Sequence, residues 1–149
     1  MNSFKYTPPP SSLSNIIYIN IFIFILINIF NVISFLLQKD INVIYNLGVS
    51  ANTEILIKKP WTIITYMFIH SDFLHLLVNM CWLYFGGTIF IKYFSKKQIL
   101  STYLMGGISG AIVYILAFNT FPVFENMITN SLAIGASASV LAILFASAS

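Results

Sequence analysis

Residues 16–37 run for 22 positions without a charged side chain. At 1.5 Å per residue a helix of that length reaches about 33 Å, enough to cross the hydrocarbon core of a bilayer. A soluble domain has no use for such a run. The rest of the chain agrees: 58% of the 149 residues are hydrophobic and 7% are charged. Both values lie far from those of water-soluble domains. The run is too long for the apolar part of a cleaved signal peptide, and Leu36, Leu37 and Gln38 offer no small-residue cleavage site. We therefore expect a retained first span over 16–37, preceded by a flexible cytoplasmic tail over 1–14 that carries Pro8, Pro9 and Pro10. Asn20, Asn28 and Asn31 inside the span are expected to bond neighbouring helices.

Three further apolar segments follow, about 72–91, 98–118 and 131–148, which predicts an all-α membrane protein with four transmembrane helices. Residues 38–60 mix apolar side chains with Lys39, Asp40, Glu54, Lys58 and Lys59, a composition suited to the membrane interface. Seven lysines against four acids give a net charge of +3, scattered rather than clustered, so nucleic acid is not an expected partner. Lys92, Lys96 and Lys97 crowd the short turn between the second and third spans, which places that turn and the amino terminus on the cytoplasmic side. Four lysines then lie inside (Lys5, Lys92, Lys96, Lys97) and three outside (Lys39, Lys58, Lys59). Cys81 has no second cysteine to pair with and reads as a packing residue.

The polar residues at the start of the second span need a reason to be there, because ionisable groups in a bilayer are costly. His75 and Asn79 are four apart and share a helix face to within roughly 40°; His70, if helical, lies about 140° away from His75. Both side chains of the shared face can donate hydrogen bonds, which suits an oxyanion. Ser71 or Asp72 can cap the helix. The diverging histidines, with no HExxH pattern and no paired cysteines, do not predict a metal site. Two serines sit among small residues, Ser137 within Gly135–Ala138 and Ser109 within Gly107–Gly110. Each is equally at home as a small residue at a helix crossing. Helix rise puts His75 and Asn79 roughly 7 to 13 Å below the external surface and Ser137 about 9 Å, while Ser109 lies nearer mid-membrane, about 14 Å from its helix end. Depth alone leaves both serines open. Ser139 is expected to bond a carbonyl one turn back.

The stretch PWTIITYMFIH with SDFLHLLVNM resembles the second transmembrane helix of rhomboid intramembrane serine proteases. GGISGA resembles their third helix and IGASASVLAIL their serine-bearing fourth. The resemblance covers roughly residue 47 to the end and implies a rhomboid-like transmembrane domain over 15–149. It assigns Ser137 as nucleophile, His75 and Asn79 to oxyanion stabilisation, and His70 to support of the site. It implies no cofactor, a lipid bilayer as surroundings, and single-span membrane proteins as substrates. The family's base histidine stands on a sixth helix that this chain does not reach. An incomplete sequence, inactive by itself, is therefore expected. Two departures stand out: Ala138 replaces the usual glycine after the serine, and Phe90 falls where an acidic residue is common. A non-cleaving rhomboid-like protein that binds membrane helices, or a small transporter or channel component, are the alternatives that these residues leave open.

Overall fold

The computed structural model describes residues 11–39 and 41–148. Among the described residues, three helices are long and apolar enough to cross a membrane: α1 (Ser11–Leu36), α5 (Phe73–Tyr93) and α6 (Lys96–Thr120). The fourth apolar helix, α7 (Ser137–Ala148), has 12 residues and reaches about 18 Å. Between α1 and α5 lie three short helices, α2 (Val43–Leu47), α3 (Thr53–Lys58) and α4 (Thr62–Thr65), and a 3₁₀ turn over Tyr66–Phe68. Another 3₁₀ turn, Pro122–Met127, follows α6.

α1 begins at Ser11, inside the stretch expected to be tail; residues 1–10 of that stretch lie outside the described residues. The segment 38–60 folds more than a free loop would. Asn42 and Asn52 cap α2 and α3 with their side-chain oxygens. Trp61 Nε1 donates to the Asn46 carbonyl at 3.0 Å, and the Lys59 ammonium donates to Asn46 Oδ1 at 2.8 Å. Within this segment β1 (Val49–Ser50) pairs antiparallel with β2 (Leu132–Ala133) just ahead of α7.

That pairing corrects the expected fourth segment. Residues 132–133 form strand β2, a bend follows at 135–136, and Gly135, at φ 111°, keeps the helix from starting before Ser137. Ser137 is thus the first residue of its helix rather than a point 9 Å along it.

α7 packs chiefly on α5 and α6, where small residues set the separation. A Cβ on Gly106 would collide with the Ala142 methyl, and one on Gly110 with the Ala138 methyl. A Cβ on Gly86 would lie 2.6 Å from Leu144 Cδ2. Close backbone approach through such residues is how helices associate where water supplies no driving force. Ala138 is accommodated because it faces a glycine. Ser139, fully buried, meets Met67 Sδ at 3.8 Å instead of a carbonyl one turn back, since Gly107 leaves room for both.

The first span ties in through Asn20, whose amide donates to the Tyr103 hydroxyl at 3.2 Å and to the Ile16 carbonyl at 2.8 Å. Asn28 differs from expectation: its amide bonds Phe24 of its own helix, because that part of α1 faces outward. Cys81 also differs, being exposed on the outer face of α5. Phe90 is buried and stacks on Phe94 with centroids 4.5 Å apart, so an apolar contact fills this position.

Candidate active site

The site grows from the turn that leads into α5. Asp72 adopts extended backbone and caps the helix, its Oδ1 accepting the His75 backbone N–H at 2.8 Å. Ser71 donates its hydroxyl to the other carboxylate oxygen at 2.7 Å. Together these bonds hold the Asp72 carboxyl below the usual carboxylate range, the backbone N–H contributing most. Starting the helix at Phe73 leaves His70 outside it, and this overturns the angular estimate made for a continuous helix. The two imidazoles are close, with centroids 5.1 Å apart and planes at 70°, edge to face.

His70 is 2% exposed, and neither ring nitrogen has a hydrogen-bond partner among the described residues. Burial, with the His75 ring beside it, pushes its pKa down to about 4, so the ring is neutral at neutral pH. Proximity revives the question of a metal, since the histidines do converge. Among the described residues, however, no three His, Cys, Asp or Glu side chains gather in a ligand set.

His75 and Asn79 occupy successive turns of α5, as their spacing predicts. The Asn79 amide donates one proton to the His75 carbonyl at 3.0 Å, which fixes the side chain and leaves its second N–H uncommitted by that bond. On the far side of His75 stands Gly135: a Cβ placed there would lie 2.7 Å from His75 Nε2. The imidazole edge therefore rests on the backbone two residues before Ser137.

The approach to Ser137 is held by Tyr66, a residue that no motif singles out. Tyr66 accepts the Gly135 N–H through its carbonyl at 2.9 Å and donates its hydroxyl to the Gly107 carbonyl at 2.6 Å. One side chain and its carbonyl thus link the 3₁₀ turn, α6 and the entry to α7. A tyrosine four residues before His70 carries no sequence signal of that role; the glycine two residues before a serine does, as a candidate for positive φ.

At the start of α7, the Val140 N–H donates to the Ala136 carbonyl and closes the first turn at 2.9 Å. The N–H groups of Ser137, Ala138 and Ser139 precede that ladder, as at any helix start, and the helix dipole favours negative charge there. Ser137 is exposed, with Ala136 and Ser139 buried on either side. Ser109 is elsewhere. It lines an open groove between α6 and α7 with Thr102, Met105, Gly106, Ala138 and Leu141, and none of His70, His75 or Asn79 borders that groove.

Residues 58–149 match the rhomboid domain family. The chain belongs to the rhomboid family. The matched region takes in His70, His75, Asn79, Ser109 and Ser137. A 55-residue stretch of this rhomboid is 38% identical to "RHOMBOID-like protein 12, mitochondrial" of Arabidopsis thaliana; it covers 37% of this chain and 16% of that protein. No solved structure matches.

Proposed function

We propose that this chain belongs to an intramembrane serine endopeptidase of the rhomboid type, with single-span membrane proteins as substrates. The observation that carries the reading is the seat of the His75 ring edge against Gly135, two residues from Ser137, with Asn79 one turn further along. In this reading Ser137 Oγ attacks the scissile carbonyl and gives its proton to a base. The carbonyl oxygen becomes an oxyanion, which accepts hydrogen bonds from His75, Asn79 and the Ser137 backbone N–H. Collapse expels the amine, protonated by the same base, and leaves an acyl-serine for water to hydrolyse. The base is assigned to a histidine of a later family helix, not to His70 or His75. His70 supports the site by packing its neutral ring against His75. A substrate helix must unwind locally first, since its own hydrogen bonds shield the scissile carbonyl.

The test is a cleavage assay in liposomes, using the form of the protein that carries the base histidine. A serine-reactive phosphonate should inactivate it with the adduct on Ser137, and a chelator should leave the rate unchanged. An adduct on Ser109, or loss of activity with the chelator, would overturn the assignment.

In the membrane we read α7, with its extended approach, as a fourth crossing and the amino terminus as cytoplasmic. The lysines at the α5–α6 turn support this, because short cationic turns stay inside. Reporters fused to the amino terminus and near Lys96 should both read cytoplasmic, and one in the 122–127 turn external. An external signal near Lys96 would reverse the orientation.

A further inference from the structure

The Ser71 hydroxyl sits between Asp72 Oδ2 at 2.7 Å and His75 Nδ1 at 3.3 Å. It owns a single proton, and a carboxylate at the shorter distance is the stronger acceptor. That proton therefore points at Asp72. What Ser71 then turns toward His75 is an oxygen lone pair, complementary to an N–H and repelled by a second lone pair. We propose that Ser71 is a positioning residue that, backed by Asp72, fixes His75 in the tautomer with its proton on Nδ1. The carboxylate is itself anchored, because its other oxygen is held by the His75 backbone N–H, so one N-cap grips both ends of the same residue. The His70 ring, edge to face with His75 at 5.1 Å, limits the imidazole on another side.

The tautomer has a chemical consequence, and this step rests on the protease reading. A neutral ring protonated on Nδ1 carries a lone pair on Nε2, the atom that faces Gly135. It can accept a hydrogen bond there but cannot donate one. His75 delivers an N–H toward the α7 entry only when doubly protonated, with Ser71 and Asp72 still accepting from Nδ1. Asn79 and the Ser137 N–H carry no such condition.

In ¹⁵N-histidine-labelled protein the ring-nitrogen signals of His70 and His75 are assigned with His70→Gln and His75→Gln, whichever further histidines the protein carries. In detergent micelles, at a pH where both rings are neutral, His75 should show a protonated Nδ1 and an unprotonated Nε2. Ser71→Ala should shift the tautomer ratio about fivefold toward Nε2–H, the change expected from losing one hydrogen bond. Ser71→Thr should restore the wild-type ratio, and the His70 signals should report an intact fold throughout. If Ser71→Ala does not fold, Ser71→Cys is read the same way, because a thiol is a poor acceptor. An Nε2–H tautomer in the wild type, or a ratio that does not respond to Ser71, would overturn the proposal. Neither result touches the assignment of Ser137, which the phosphonate adduct decides separately.

Discussion

Ser137→Ala, in the form of the protein that carries the base, is expected to abolish cleavage, with a loss on the order of 10⁶-fold in kcat, while Ser109→Ala leaves the rate near wild type. Loss of a serine nucleophile removes the covalent route altogether, and neither Ser139 nor Ser109 is placed to replace it. Ser139 is fully buried and turned toward Met67, and Ser109 faces the α6–α7 groove. Asn79→Ala should be milder, costing roughly 10²- to 10³-fold in kcat with little change in KM. It removes a donor that matters only once charge has developed on the carbonyl oxygen. The three variants are checked by steady-state cleavage of one substrate in one lipid. Retained cleavage in Ser137→Ala with loss in Ser109→Ala would transfer the nucleophile to α6. A rise in KM with kcat unchanged for Asn79→Ala would make that residue a contact for the resting substrate rather than for its oxyanion.

Uncharged apolar runs were enough to locate the three long apolar helices, because a segment built to cross a bilayer needs about 20 apolar residues and leaves its lysines at the ends. A cap at Ser71 or Asp72 and the shared face of His75 and Asn79 were legible for the same kind of reason: both are properties of a single helix. What could not be read were features that depend on two distant segments. His70 looked divergent from His75 because the helix was extended back through it; Asp72 ends the helix first, and the coil before it folds the rings together. The start of α7 was misplaced by six residues because β2 pairs with β1, a partner about eighty positions earlier. Tyr66 bridges α6 and the α7 entry through bonds that no local pattern announces. By contrast, the small residues around Ser109 fit a helix crossing on sequence alone. Their partners, Ala138 and Ala142, emerged only from the packing.

Gly135→Ala should damage both the fold and the proposed site. At φ 111° an L-residue is strained whatever the surrounding space, at a cost of roughly 1–3 kcal/mol. Its methyl would also lie 2.7 Å from His75 Nε2 and 2.8 Å from Cε1, so the imidazole must move. Backbone retreat is opposed by the Gly135 N–H bond to the Tyr66 carbonyl, which ties this residue to the 3₁₀ turn. The expected result is a lower thermal midpoint in detergent, together with a fall of roughly 10²-fold in kcat in the base-bearing form, as for loss of one oxyanion donor. The two causes separate in a double-mutant cycle with His75→Ala. Removing the ring abolishes the collision but not the positive φ, so the midpoint drop caused by Gly135→Ala should shrink in the His75→Ala background and still not vanish. Strict additivity would show that the ring bears none of the cost. Complete relief would show that the backbone at 135 tolerates alanine, and that glycine stands there only to make room for His75.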